Sequence, residues 1–467
     1  MEIKKVSFIE ARSPGAHIFS KFPIPRLGTV LLGTMLKNKG IDVRVFIEDI
    51  SDIDWSYVEN SDLVAISTIT PTAIRAYEIA DRVKKLGIPI VIGGAHPTFM
   101  TEEALEHADF VVRGEGDISF PALFSYLTKG KPHISEIRGI SYRDSSGQIK
   151  HTPPSELLID LDVLPSPDFS IVHNWNAKNV YPVSTSRGCP YDCKFCSVIQ
   201  VFGRKYRYRS VERTLADLKE ATLRTDSTKF IVDDNFAANK KRTKAILRGM
   251  IEEKIKTKWT AQVRVEVAKD EELLKLMADA GCDTLYIGFE SVNPETLKLY
   301  NKKQEVSQII DCIKRVHDYG LYIHGMFVLG ADTDTVETIR KTAEFAIENH
   351  IDTVQFVILT PLPGTPFFYE MRDSGRLLHT DWSKYDAHHV VFTPERIDPI
   401  ALQIEMMKAM GKFYSWKYII RHLLKFELFY AGIGVYGKRA IRKARDEIMA
   451  YIEEFLDTPS HLNNSRV

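Results

Sequence analysis

Short apolar runs recur along this chain with helix-length stretches between them, and that alternation constrains its fold more than any other feature. In the first 150 residues the runs are Val6 to Ile9, Val43 to Ile47, Leu63 to Ile66, Pro89 to Ile92 and Phe110 to Val112. Strands that alternate with helices return in the same direction, so the series builds a parallel, doubly wound α/β sheet covered by helices. A second series follows at Val183 to Thr185, Phe230 to Val232, Trp259 to Val263, Leu285 to Phe289, Ile323 to Val328 and Val354 to Leu359. Its spacing of roughly 30 to 45 residues suits six strand-helix units. Between the two series, His151-Thr152-Pro153-Pro154 and Leu164-Pro165-Ser166-Pro167-Asp168 gather four prolines in fifteen residues, which interrupts regular structure. The expected division is a sheet domain at 1–150, a linker at 151–175, a strand-helix domain at 176–394 and a helical region at 395–467.

Composition narrows the function classes. The 467 residues are 44% apolar and 27% charged, ordinary for a globular chain with two or three cores. Basic and acidic residues balance at 62 each, so no global field steers the chain to nucleic acid. No run of 18 or more apolar residues occurs, and Met1-Glu2-Ile3-Lys4-Lys5-Val6 leads straight into a strand pattern with no signal core. Five cysteines, three of them clustered, make no even disulfide framework, so a reducing, cytoplasmic setting is expected, with Cys282 and Cys312 as core residues.

The clustered three, Cys189, Cys193 and Cys196, stand in Arg187-Gly188-Cys189-Pro190-Tyr191-Asp192-Cys193-Lys194-Phe195-Cys196. A Cys-x3-Cys-x2-Cys spacing brings three thiolates together and supplies no fourth. An iron-sulfur cube held by three thiolates keeps one iron open to a small molecule. A zinc site completed by a distant His is the alternative, although zinc motifs more often come as paired Cys-x2-Cys units.

With Phe195 ahead of the third cysteine, this motif resembles the signature of the radical S-adenosylmethionine superfamily. The resemblance implies that Cys189, Cys193 and Cys196 hold one 4Fe-4S cluster and that Phe195 lies near the adenine of S-adenosylmethionine. It also implies that the six later units form a partial barrel, whose working residues gather at the C-terminal ends of its strands. Asp233 and Asp234 end the second strand, where the family commonly has a Gly-Glu pair touching the methionine amine; an acidic helix cap is the alternative for either. Arg264 ends the third, with the shape to pair bidentately with the methionine carboxylate. Gly281 to Ser291 resembles the family's fourth-strand motif, which places Glu290 and Ser291 at the cavity. Glu290 would accept from ribose hydroxyls or anchor Arg264, and these two are the expected catalytic residues. Thr360-Pro361-Leu362-Pro363-Gly364-Thr365-Pro366 would close the adenosine pocket.

The first domain resembles the flavodoxin-like cobalamin-binding domain that precedes many such enzymes. The residues that carry this are Pro25-Arg26-Leu27-Gly28, Ile66-Ser67-Thr68, Ile92-Gly93-Gly94-Ala95-His96-Pro97 and Val112-Arg113-Gly114-Glu115-Gly116. Expected corrin contacts are Ser67, Thr68, Gly93, Gly94, Gly114 and Glu115. One departure stands out: the family's Asp-x-His-x-x-Gly reads Glu10-Ala11-Arg12-Ser13-Pro14-Gly15 here. Arg12 carries only donors, so it can sit beneath a corrin but not ligate cobalt. Cobalamin is expected without a protein ligand; a domain that keeps the fold and has lost the cofactor is the alternative.

From Lys408 to Arg445 there are ten Lys or Arg and one acid, Glu427, interleaved with aromatics. Lys417, Arg421 and Lys425 share a helix face, while Ile420, Leu423, Leu424 and Leu428 point elsewhere. Three readings stand: an interfacial helix that rests on an anionic membrane and presents the barrel mouth, a helical lid packed on the barrel with a solvated basic rim, and, third because the overall charge is neutral, an RNA contact. The whole arrangement resembles the anaerobic magnesium-protoporphyrin monomethyl ester cyclase group and its radical methyltransferase relatives. It implies hydrogen abstraction from an apolar small molecule or lipid, then cobalamin-dependent methylation, oxidation or carbon-carbon bonding, with electrons from a donor such as flavodoxin or ferredoxin. The alternatives are a cobalamin-independent radical oxidoreductase and a non-catalytic cobalamin or redox sensor.

Overall fold

The computed structural model describes residues 2–13, 15, 24–176 and 180–456. Strands β1 (Lys5–Glu10), β2 (Asp42–Ile47), β3 (Leu63–Ser67), β4 (Ile90–Gly93) and β5 (Phe110–Val112) run parallel in the order β2-β1-β3-β4-β5. That is the flavodoxin-like order. Side chains alternate across the sheet. Phe8, Ala65 and Val91 pack with Val30 and Phe120 of helices Leu27–Lys37 and Gly116–Lys129. Ile9, Val64 and Ile66 pack on the other face with Ala76, Ile79 and Leu105. An antiparallel pair, β6 (Ile140–Arg143) and β7 (Ile149–His151), extends the sheet beyond β5; it is too short and polar to stand out in the sequence.

The chain crosses the proline-rich stretch into β8 (Val180–Val183), then a two-residue antiparallel ribbon, β9 (Ser186–Arg187) with β10 (Arg207–Tyr208). Strands β11 (Thr228–Ile231), β12 (Trp259–Val263), β13 (Cys282–Glu290), β14 (Tyr322–Leu329) and β15 (Thr353–Ile358) complete a six-stranded parallel sheet, β15-β14-β13-β12-β11-β8. This is the expected open barrel. The first strand ends at Val183, short of the expected Thr185, because the N–H groups of Thr185 and Ser186 are taken by the Asp233 carboxylate and not by a strand. The two halves share one apolar core: Tyr181 and Val183 cluster with Phe8, Val30 and Val45.

Helices Pro399–Phe413, Trp416–Leu424 and Leu428–Tyr451 follow. Tyr414 donates to Val354 O at 2.8 Å and accepts from its N–H, and Tyr418 donates to Asp352 O at 2.6 Å. The Tyr430 ring lies 4.5 Å from Tyr322. These partners sit at the N-terminal ends of β14 and β15. The stretch from Trp416 to Tyr430 therefore packs at the far end of the barrel from the cysteine loop and does not present the mouth, while helix Leu428–Tyr451 runs on until Tyr451 donates to Val390 O at 2.6 Å and Glu447 and Ile448 share a pocket with Ser13 and Gly15 of the first domain. Among the described residues, no helix is long and apolar enough to cross a membrane.

Candidate active site at the domain interface

The cysteine loop is fastened on both sides before any cofactor is considered. Gly188 turns with φ +84°, and a Cβ there would sit 2.6 Å from the carbonyl oxygen of Lys205, so only glycine passes. Behind the loop, Asp233 accepts four hydrogen bonds: from the N–H groups of Thr185 (2.7 Å) and Ser186 (3.0 Å) and from both hydroxyls (2.6 Å each). Arg242 completes that buckle by donating to Thr185 O at 3.1 Å and Thr214 Oγ1 at 3.0 Å. Toward the first sheet, Arg187 pairs with Asp117 at 2.5 Å and Glu115 at 3.3 Å, and buried Arg207 pairs with Glu115 at 2.8 Å. The loop's other side chains are tied to the barrel: Asp192 to Asn301 at 2.8 Å, Lys194 to Glu370 at 2.5 Å, and Tyr191 beneath the Arg264 guanidinium at 3.8 Å.

What remains free is the thiols. All five cysteines are unpaired; Cys282 and Cys312 are buried core residues, while Cys189, Cys193 and Cys196 occupy the loop. Burial pushes the Cys196 thiol up to about 12 and raises Cys189, so their thiolates call for a cation. Among the described residues, no three His, Cys, Asp or Glu side chains converge on a point that could hold a single metal ion.

Around the thiols, the expected residues take different parts. Asp233 spends its carboxylate on the buckle. Asp234 has no side-chain partner among the described residues, lines the cavity, and is pushed up to about 7, by burial first and by Asp233 second. An ammonium is the partner that would hold it ionised. Phe195 lies edge-on to Tyr300, ring centres 4.8 Å apart, and the Tyr300 phenol is buried without a hydrogen-bond partner. Arg264 and Glu290 are both buried, but they do not pair. Arg264 is held by Glu266 (3.1 and 3.2 Å) and donates to Lys302 O at 2.6 Å, whereas Glu290, in a left-handed turn at φ +62°, pairs with Lys302 Nζ at 2.5 Å. Lys302 thus joins the two, in place of the expected direct anchor. Ser291 accepts from the Asn293 N–H at 3.0 Å and caps the turn after β13. Gly364 of the Thr360–Pro366 run backs onto the ring of Phe99, in the first domain.

Glu266, Lys302, Arg242, Asp117, Tyr191 and Tyr300 escaped the sequence reading. Only Arg264-Val265-Glu266 carried a local signal, an acid two residues beyond an arginine at a strand end.

Across from the loop lies the C-terminal edge of β3 to β5. A single cavity of about 590 Å³ is walled by Ser67, Gly93, Gly94 and Gly114 on that side and by Ser186, Arg187, Val198 and Asp234 on the other. Gly94, at φ +111°, passes so close to the Thr68 backbone that any Cβ would clash, which leaves the edge bare for a large ligand. Phe8, Leu31, Ala65, Val91 and Phe120 add apolar side chains to the cavity lining. Thr68 is buried, with its hydroxyl bonded to Thr72, and Glu115 faces the cavity with its carboxylate engaged by the two arginines. Arg12 is exposed, with its backbone N–H bonded to Glu48 at 3.2 Å; His17 lies outside the described residues. Glu10, in the place of the family's Asp, is buried and raised by that burial, and it accepts from Arg26 at 3.3 Å.

Comparison with known proteins agrees with this geometry. Residues 183–411 match the Radical SAM superfamily model and residues 19–124 match the B12 binding domain model. The chain is 30% identical over 428 residues, 90% of its length and 89% of the relative's, to bacteriochlorophyllide d C-12(1)-methyltransferase of Chlorobaculum tepidum. It is 26% identical to the anaerobic magnesium-protoporphyrin IX monomethyl ester cyclase of Rubrivivax gelatinosus, covering 88% of this chain and 77% of that one. In fold it is similar to the radical S-adenosylmethionine methyltransferase TsrM of Kitasatospora setae, solved with cobalamin and a [4Fe-4S] cluster. The TM-score is 0.73 at 16% identity, over 96% of this chain and all (100%) of that one. The cluster, S-adenosylmethionine and cobalamin are the cofactors of these domains, and the cysteine loop, its flanking carboxylate and the glycine-edged cavity fit them. The chain belongs to the radical S-adenosylmethionine superfamily, in the branch that carries a B12-binding domain ahead of the barrel.

Proposed function

We propose that this enzyme abstracts hydrogen from an unactivated carbon of an apolar substrate, a tetrapyrrole, lipid or natural product, and completes the reaction by cobalamin-dependent methylation, with oxidation or carbon-carbon bonding as the other outcomes. One observation carries the reading: the glycine edge of the first sheet and the surroundings of the cysteine loop are opposite walls of one cavity. When bound, the cluster supplies the electron that splits S-adenosylmethionine and cobalamin supplies a transferable methyl group. The chain's own residues position and shield. Cys189, Cys193 and Cys196 hold the cluster, and Asp234 accepts from the methionine ammonium. Arg264, oriented by Glu266 and the Lys302 carbonyl, faces the methionine carboxylate, and Glu290 accepts from ribose hydroxyls with Lys302 as counter-ion. Phe195 stacks near the adenine, Ser291 shapes the turn that carries Glu290, and the Thr360–Pro366 run closes that side. Ser67, Thr68, Gly93, Gly94, Gly114 and Glu115 form the corrin seat, and Arg12 stands where the family's cobalt-ligating His would be.

The proposed division is 1–150 for the corrin domain, 151–175 for the linker, 176–394 for the barrel and 395–467 for the helical region. The proposed setting is the cytoplasm, with a donor such as flavodoxin or ferredoxin, peripheral membrane contact through the C-terminal helices, and no nucleic acid partner. The relatives, a bacteriochlorophyllide methyltransferase and a magnesium-protoporphyrin cyclase, support a flat macrocycle as the first substrate class to try.

The test is anaerobic reconstitution with iron, sulfide and hydroxocobalamin, followed by S-adenosylmethionine and a reductant. Release of 5′-deoxyadenosine, together with corrin absorption that stays with the protein on gel filtration, is the expected result. A fully loaded cluster that yields no 5′-deoxyadenosine would overturn the radical reading. A loaded cluster without retained corrin would overturn cobalamin dependence alone.

A further inference from the structure

The strongest feature left unused by that chemistry lies at the other end of the barrel. Helix Trp416–Leu424 turns into helix Leu428–Tyr451 through Lys425-Phe426-Glu427, and the apolar side chains of this turn stand in water. Leu424, Phe426 and Leu428 are 76%, 88% and 69% exposed, and Trp416, Ile420 and Phe429 are all more than half exposed. Isolated exposed leucines are ordinary, but six large apolar side chains within fourteen residues form a patch of the kind that marks an interaction site. Phe426 adopts φ +59°, a left-handed conformation unfavourable for a bulky residue, and the turn spends that strain on holding a phenyl ring outward.

The charge around the patch selects the partner. Lys417 and Lys425 stand exposed within it, the Lys438 ammonium lies 5.3 Å from the Trp416 ring, and Arg421 turns back to His350 and His422 at 3.1 and 3.2 Å. The one acid of the stretch, Glu427, is bonded to His422 at 2.6 Å. Aromatic and aliphatic side chains ringed by cations are the composition of an interfacial element. The apolar groups enter the acyl boundary while lysine and arginine reach the headgroups. A second copy of the same patch would set these cations against one another.

We propose that the Trp416–Phe429 turn is a docking tip for an anionic lipid bilayer. It packs at the N-terminal ends of β14 and β15, so docking leaves the mouth of the barrel and the interdomain cavity turned away from the lipid surface. The inference rests on the peripheral contact included in the proposed function, and it places that contact on a surface remote from the radical chemistry.

The experiment is flotation of the full-length protein with vesicles of phosphatidylcholine alone and of equal parts phosphatidylcholine and phosphatidylglycerol. Wild type should float with the mixed vesicles, stay behind with the neutral ones, and be released by added salt. F426S/F429S should lower the partition constant roughly a hundredfold, about tenfold for each ring withdrawn from the acyl boundary. K417E/K425E should lower it by roughly tenfold or more. Because these side chains are exposed, both variants should melt with wild type, and 5′-deoxyadenosine release, read separately, should be unchanged. Failure of wild type to float with mixed vesicles overturns the proposal, as does equal flotation of F426S/F429S. Concentration-dependent dimerisation that F426S/F429S abolishes, without flotation, overturns it in favour of self-association.

Discussion

Two adjacent carboxylates, Asp233 and Asp234, follow the second barrel strand, and the bonding seen for the first and the role proposed for the second can be separated by substitution. Asp233 accepts from two backbone N–H groups that have no other acceptor and from two hydroxyls. In Asp233→Ala both N–H groups are stranded in a buried site at about 1–3 kcal/mol each, so the turn into the cysteine loop should lose on the order of 2–6 kcal/mol. Asp233→Asn keeps one oxygen for the two N–H groups, and its amide donates to the hydroxyls, which can reverse their roles; most of the buckle should survive. Asp234 has no such partners, and its proposed bond to the methionine ammonium is charge-assisted, about 1.5–3 kcal/mol. Asp234→Asn should therefore weaken S-adenosylmethionine by roughly tenfold to a hundredfold, with cluster loading intact. The assay is equilibrium binding of S-adenosylmethionine to the reconstituted protein, with iron content and a denaturant melt on the same samples. If Asp233→Asn abolishes binding while its iron content and melt match wild type, and Asp234→Asn binds normally, the division of labour argued here is wrong.

Other expectations follow from the same frame. Gly188→Ala would force a left-handed alanine against Lys205 O, so iron loading should fall while the apo protein stays folded, as checked by iron analysis and circular dichroism. Asp117→Asn leaves the Arg187 guanidinium short of its main partner at the domain junction and should cost up to about 3–5 kcal/mol. Asp117→Leu with Arg187→Met, which removes both charges, should recover much of that, and a denaturant melt that ranks the double variant below the single one would contradict this account. Any of Cys189→Ala, Cys193→Ala or Cys196→Ala should eliminate 5′-deoxyadenosine release, whereas Cys312→Ala should not. Glu405 is held down to about 2, chiefly by its hydrogen bond with Arg340. A carboxylate with a depressed pKa contributes stability above its ordinary value of 4.5 and loses it as pH falls toward 2. Arg340→Met should therefore shift the acid transition of the apo protein to higher pH.

The strands and the three-cysteine loop were legible because their signals are local. Val6 to Ile9 reads as a buried strand from its own four residues, and the thiols from ten. The short β6 and β7 pair was not, because four and three residues of mixed polarity around Asp144-Ser145-Ser146-Gly147 carry too little pattern. The support of the site was illegible for a different reason. Arg187 meets Asp117 across 70 residues of sequence and Arg207 meets Glu115 across 92, and nothing in either stretch marks a partner. Glu290 reads correctly as a buried acid by position, yet its counter-ion is Lys302, in a turn twelve residues later. The C-terminal helices were amphipathic on paper, but their placement depends on where Tyr414, Tyr418 and Tyr451 find the carbonyls of Val354, Asp352 and Val390.

The shared cavity also bears on biogenesis. Its first wall, the bare glycine edge of β3 to β5, is complete when residue 116 has been made. The second arrives only with β8 and the cysteine loop, some 70 residues later by the numbering. A molecule seated between them touches both halves, so its binding free energy adds to their docking, and the loaded protein resists opening more than the empty one. Corrin supply during growth thus becomes a folding variable: cells starved of it should accumulate chain that proteases cut in the 151–175 segment.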